Sequence, residues 1–128
     1  MICLLDTHTY LWMRIAPGLL SKRVAALSLD NSVEILISPV TPWELAIKAG
    51  TGKLNPGGLL LNFEEREIAS GFRIAEITIA QTIASSLLPR HHRDPFDRLL
   101  IAQSFDLGIP IISNDGTFDR YGVQRIWD

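Results

Sequence analysis

Residues 2–6 read Ile-Cys-Leu-Leu-Asp, and this run decides the fold. Four apolar residues in succession form a strand buried on both faces, because a strand with one wet face would alternate apolar and polar positions. Asp6 follows at once, and Thr7-His8-Thr9-Tyr10-Leu11-Trp12 opens a helix that fades before Pro17 and Gly18. Strand, acid and helix in that order start a βα unit, with the acid at the carboxyl end of the strand.

The same grammar recurs outward from it. Ser21 caps a helix over Lys22–Leu29, which Asp30 and Asn31 close. Val33–Ser38 is the second strand. Thr41-Pro42-Trp43-Glu44 reads as a helix start, with Thr at N-cap, Pro at N1 and Glu at N3 in a capping box. That helix stops near Gly50, and Gly52, Pro56, Gly57 and Gly58 mark a loop. Leu59–Ser70 is amphipathic and ends at Gly71, a natural C-cap. Phe72–Ile77 forms the third strand, and Thr78 caps a helix through Leu87. Leu88–Asp94 is a polar loop, Pro95 suits a first helical turn, and Gly108 ends that helix. Ile109–Ser113 is the fourth strand, starting at Ile111 because Pro110 has no N–H for a ladder. Asn114-Asp115-Gly116 turns the chain into a fifth strand over Val123–Trp127. Strands alternating with helices predict an α/β sandwich: a mainly parallel sheet of about five strands flanked by helices.

Composition narrows the class. At 128 residues the chain reads as one domain, 1–128, able to bury a real core. Apolar residues make up 47% and charged residues 20%, which argues against disorder. Twelve Lys and Arg against fourteen Asp and Glu leave a net charge of −2, which excludes a generally basic nucleic-acid coat and a polybasic membrane arm. An acidic nuclease site whose metal ions supply the positive charge is compatible with that balance. Cys3 is the only cysteine, so the chain has no internal disulfide framework and no Cys-based zinc site. MICLLDTHTYLW carries no basic leader and Asp6 breaks its apolar run, so it does not read as a signal peptide. No apolar run approaches the roughly 20 residues of a membrane span. The expectation is a cytoplasmic protein with no membrane partner.

Ligands of open α/β sheets sit outside the carboxyl ends of the strands. Four acids fall there: Asp6 after ICLL, Glu44 in the helix after VEILIS, Asp97 at the start of the helix before LLIAQS, and Asp115 just past IPIIS. Carboxylates crowded at one sheet edge repel one another unless cations neutralise them or some take protons. An oxygen-only set selects a hard divalent ion, Mg²⁺ or Mn²⁺, which points to phosphoryl chemistry. Each acid also has a local reading. Asp6 can cap the first helix, Glu44 completes the capping box, Asp97 suits the positive end of a helix dipole, and Asp115 suits an Asn-Asp-Gly turn.

Asp6 in LLDTHTYLW, Glu44 in TPWELAIKAGTGKL, Asp97 in HHRDPFDRLLIAQS and Asp115 in IPIISNDGTFDRYGV together resemble the PIN domain, and within it the VapC-type toxins of type II toxin–antitoxin pairs. The resemblance runs from Met1 to Trp127. It implies a PIN-like three-layer sandwich and a Mg²⁺- or Mn²⁺-dependent endoribonuclease acting on structured cellular RNA. Asp6, Glu44 and Asp97 match the family's three core acids and Asp115 its more variable fourth, as catalytic residues and metal ligands. Ser113-Asn114-Asp115 departs from the Thr-x-Asp often found there, so a serine hydroxyl must do whatever the threonine does. The expected partners are the RNA substrate, a cognate antitoxin protein (helix-in-groove docking is one mode) and a second copy of the chain.

Arg90 and Arg93 are candidate substrate contacts, being bidentate and always charged, with Lys48 and Lys53 adding local grip. The bland alternative for that loop is a solvated basic surface. Adjacent His91 and His92 are poorly placed to share one ion. Asp94 reads as a helix cap, His8 as a packing residue, and Trp12, Trp43 and Trp127 as core or partner-covered aromatics. Two rival functions stand beside the enzyme. One is a catalytically silent RNA- or partner-binding regulator on the same fold, against which the four filled acid positions argue. The other is a phosphatase of the haloacid dehalogenase type, which needs a second Asp where this chain has His8.

Overall fold

In the computed structural model, which describes residues 1–128, the strand Ile2–Leu5 (β1) lies at the centre of the sheet. Glu34–Ile37 (β2) pairs with it on one side and Ile111–Ile112 (β4) on the other. Arg73–Ile74 (β3) and Arg125–Ile126 (β5) form the edges. The order is β3-β2-β1-β4-β5 and every pairing is parallel. The outer strands are shorter than their apolar runs suggested, two residues each, and β4 does start at Ile111.

Alternation along the strands splits the core in two. Leu4, Leu36 and Ile111 point to one face, where Leu99, Leu100 and Ile101 cover them from the helix Pro95–Leu107 (α6). Cys3, Leu5, Ile35, Ile37 and Ile112 point to the other. There Tyr10 of Thr7–Ile15 (α1), Val24 of Lys22–Ser28 (α2) and Leu45 of Val40–Gly50 (α3) complete the layer. Both faces of the central strands are therefore dry, which is why they read as unbroken apolar runs. Phe63–Ala69 (α4) and Ile79–Leu87 (α5) finish the helical set. The architecture is the expected three-layer α/β sandwich.

Two local expectations differ. α3 starts at Val40 with Pro39 at its N-cap and no side-chain capping bond, so the Thr41–Glu44 capping box does not form. Pro42 then falls inside the first turn, where its missing N–H costs nothing. A capping box does form at Thr78 and Gln81, at the start of α5. The Leu59–Ser70 helix shortens to α4, because the chain turns through residues 57–62 before it can coil. Gly108 ends α6 in the left-handed region (φ 66°), a conformation glycine takes without strain.

Candidate active site

Asp6 leaves the end of β1 and is buried beneath the start of α1. Its backbone N–H bonds to the Ile112 carbonyl, so β4 holds the residue in register. Both carboxylate oxygens are engaged: Oδ1 accepts from the Thr9 N–H at 2.8 Å and Oδ2 from the Ser113 hydroxyl at 2.6 Å. Asp6 thus caps α1 through one oxygen, while Ser113 holds the other. Burial pushes its carboxyl above the ordinary value, and the bonds from Ser113 and Thr9 draw it part of the way back.

Ser113 does the work that its departure from threonine left open. While donating to Asp6, Oγ accepts the Asp115 N–H at 2.9 Å. One hydroxyl fastens two acids. Asp115 is exposed and caps a 3₁₀ turn over Gly116–Tyr121 through the Thr117 N–H at 2.9 Å.

Glu44 is buried on α3, freed of capping duty. Lys48, one turn on, donates to Oε2 at 2.7 Å, while Oε1 is buried with no hydrogen-bond partner. A carboxylate oxygen in that state is costly unless something positive or protonated meets it. Lys48, expected to add substrate grip, is thus paired with Glu44.

Asp97 lies in the first turn of α6, whose N-cap is Asp94. The Asp94 carboxylate accepts the Phe96 and Asp97 N–H groups at 2.9 and 3.2 Å, so its cap role is the one expected. The Asp97 carboxyl is pushed up to about 8, first by burial and then by repulsion from Asp94, Asp6, Glu44 and Asp115. Asp6, Glu44 and Asp115, distant in sequence, are thus brought within electrostatic reach of Asp97 at the carboxyl edge of the sheet.

A divalent ion suits this donor set. It is all oxygen, it carries excess negative charge, and it holds one buried oxygen without a partner. No three Asp, Glu, His or Cys side chains stand close enough to hold one ion directly. Such an arrangement matches Mg²⁺ better than Ca²⁺, because Mg²⁺ keeps several waters and binds through one or two carboxylates.

Beside Asp6 and Asp115, a hollow of about 240 Å³ is lined further by His8, Trp12 and Asn114. His8 is exposed there, with its ring 6.3 Å from that of Trp12 one turn on. Trp12 stands edge-on to Trp127 at 5.8 Å, and half-exposed Trp43 packs edge-on against Phe96 at 4.8 Å. A larger hollow, about 370 Å³, lies between α1, α2 and the Phe72 region and contains no carboxylate.

Arg90 and Arg93 are exposed, and the six ion pairs of the chain leave both out. Arg98 and Tyr121, which sequence reasoning missed, and His92, which it weighed only as a metal ligand, hold their loop in place. The one available signal was an arginine set just before the buried run Leu99–Ser104, where a charge needs a dedicated partner.

The PIN domain family profile matches residues 3–124. The chain belongs to the PIN domain family. Its fold is similar to that in three solved complexes. For VapBC2 from Rickettsia felis, bound to a DNA fragment from their promoter, the TM-score is 0.72 at 18% identity, covering 100% of both chains. For FitAB bound to an IR36 DNA fragment it is 0.65 at 17%, covering 98% of this chain and 94% of that one. For VapBC-1 from nontypeable Haemophilus influenzae it is 0.62 at 16%, covering 98% and 97%. At these identities the likeness shows the PIN fold itself. No curated protein matches the chain. No helix of this PIN domain is long and apolar enough to cross a membrane.

Proposed function

We infer that this PIN domain is a Mg²⁺- or Mn²⁺-dependent endoribonuclease of the cytoplasm and the toxin of a toxin–antitoxin pair, cutting structured cellular RNA. The gathering of Asp6, Glu44 and Asp115 around Asp97 at the carboxyl edge of the sheet, where burial first and then acid repulsion lift Asp97 to about 8, carries the reading. One or two of these four acids would hold the ion directly and the others would face it through its waters. When bound, it would lower the pKa of a water and offset charge on the scissile phosphate. The chain's own residues set the stage. Thr9 and Ser113 aim Asp6, Ser113 and Thr117 place Asp115, and Lys48 neutralises Glu44 from behind. Arg90 and Arg93, free of ion pairs, are the phosphate contacts in this reading.

An antitoxin partner is supported by the VapBC and FitAB complexes that the fold resembles. A second copy of the chain is supported by α5, which exposes Ile79, Ile83 and Leu87 at successive turns of a helix without a charged residue. The regulator reading draws on a different observation: Lys48 already occupies one Glu44 oxygen, and no three acids hold an ion directly. Incubating the purified protein with structured RNA in Mg²⁺, Mn²⁺ or chelator separates the two. Cleavage only with metal is expected. RNA binding without cleavage in any metal would favour the regulator, and full cleavage in chelator would remove the metal from the reading.

A further inference from the structure

The loop Leu88–Asp94, read in sequence as a polar loop carrying either phosphate contacts or a solvated basic surface, is in part fastened down. Arg98, 7% exposed, donates through Nη1 to the Pro89 carbonyl at 2.8 Å and to the Tyr121 hydroxyl at 3.3 Å. Through Nη2 it donates to the Ser85 and Leu88 carbonyls, both at 3.0 Å. One buried guanidinium thus ties the end of α5, the loop and Tyr121 together. The His91 and His92 rings lie 4.8 and 5.3 Å from the Tyr121 ring.

Counting protons at Tyr121 fixes what His92 can do. The phenol oxygen receives the Arg98 Nη1–H and, at 3.2 Å, the His92 backbone N–H. A hydroxyl has two acceptor sites, and both are filled. Its own proton must therefore go to the partner at 2.7 Å, His92 Nδ1, which makes Nδ1 an acceptor. A neutral imidazole that accepts at Nδ1 carries its proton on Nε2. That atom faces Asp97 Oδ2 at 3.4 Å.

We propose that His92 is a positioning residue of the carboxylate site. The run of bonds Arg98–Tyr121–His92 sets the Nε2–H form of the imidazole and aims that proton at Asp97. The assignment differs from metal ligation by the histidine pair, because His92 acts through Asp97 and His91 only packs on Tyr121. A donor at Oδ2 restricts rotation of the Asp97 carboxylate and leaves Oδ1 as the oxygen free for a ligand. Groups that orient a metal ligand in this way typically matter about 10- to 100-fold in metal affinity. The proposal rests on the reading of Asp97 as part of a divalent-ion site, and its first test does not.

That first test is the tautomer in metal-free protein, read from long-range ¹⁵N–¹H correlations of the neutral His92 ring. The Nε2–H pattern is expected in wild type, with loss of that preference in Tyr121→Phe. An Nδ1–H pattern in wild type would overturn the proposal. The second test is Mn²⁺ affinity by calorimetry, without RNA. His92→Phe, which keeps a ring against Tyr121 but no donor, should bind Mn²⁺ about 10-fold more weakly or worse. His92→Gln, which can still reach Asp97 with an amide N–H, should recover most of the affinity and serves if the Phe variant fails to fold. Wild-type affinity in a folded His92→Phe protein, or no recovery in His92→Gln, would overturn the assignment. If wild type itself binds no Mn²⁺, the metal reading of the site falls, and the tautomer alone upholds or overturns the place given to His92.

Discussion

Ser113 donates its hydroxyl proton to Asp6 across 107 positions of sequence, Oγ to Oδ2 at 2.6 Å, and so couples the fourth strand to the first. The same oxygen receives the Asp115 N–H. Ser113→Ala should therefore disturb two acids at once. A hydrogen bond to a buried carboxylate is worth about 1.5–3 kcal/mol, so a loss of that order in unfolding free energy is expected, together with a large loss of RNA cleavage. Ser113→Thr, which keeps the hydroxyl, should retain most activity. Denaturant unfolding and cleavage assays on the pair check this, and an active, fully stable Ser113→Ala would show that the bond matters to neither.

Asp97 gives a pH signature with a definite sign. Its carboxyl resists ionisation in the fold up to about 8, against an ordinary value of 3.8. As pH rises, the unfolded chain gives up this proton first. Asp97 therefore supports the fold below about 3.8, and that support drains away as pH climbs through about 8. Asp97→Asn removes the effect. Its melting temperature, in chelator, should match wild type near the acid end and exceed it at the alkaline end, with each ~1 kcal/mol moving Tm by roughly 2–8 °C. Added Mg²⁺ or Mn²⁺ should raise wild type and leave the variant nearly unmoved. Parallel melting curves across that pH range in both variants would expose the carboxyl as ordinary.

Glu44→Gln tests a ligand without testing a cap. Since α3 has no side-chain capping bond, the substitution leaves the helix start alone. It removes the charge that Lys48 meets and the oxygen without a partner. The expected result is near-wild-type helicity by circular dichroism, with metal-dependent cleavage lost by at least about 100-fold, the lower range for removing one electrostatic group from an active site. Retained cleavage would make Glu44 a bystander.

Arg90→Ala combined with Arg93→Ala should weaken RNA binding at every sequence tested and flatten its dependence on salt. Each lost phosphate contact lowers the log–log slope by roughly 0.7, so a change of about 1–1.5 is expected. Stability should stay within about 0.5 kcal/mol, because both side chains are exposed and outside the ion pairs. Filter-binding titrations over a salt series read the slope, and an unchanged slope would return this loop to bare solvent.

Burial on two faces leaves a mark that sequence preserves, which is why β1 and β2 were legible as runs and the acids could be placed at their ends. The Thr41–Glu44 spacing misled for an instructive reason. It satisfies the capping pattern, but Thr41 and Glu44 are both buried, and the Thr41 hydroxyl sits 3.4 Å from that of Thr7 rather than at a helix end. Tertiary packing overrode a local signal. Arg98 and Tyr121 were illegible for the opposite reason, and His92 was read only as a metal ligand. Their meaning lies in contacts spanning up to 29 positions, and no one of the three residues shows it alone. Ser113 stood between the two. Its place was readable from the strand, and its partner was not.

The central place of β1 has a consequence for how the protein is made. Synthesis delivers β1, β2 and β3 first, and these three already neighbour one another in the sheet. Domains generally fold as units. For as long as the ribosome has not reached β4, Asp6 lacks the Ser113 hydroxyl, and until α6 is made Asp97 does not exist. A nascent chain at that stage therefore has no assembled cluster of acids. In the proposed reading as a ribonuclease, the protein cannot cut the message from which it is being translated until almost its last strand is in hand.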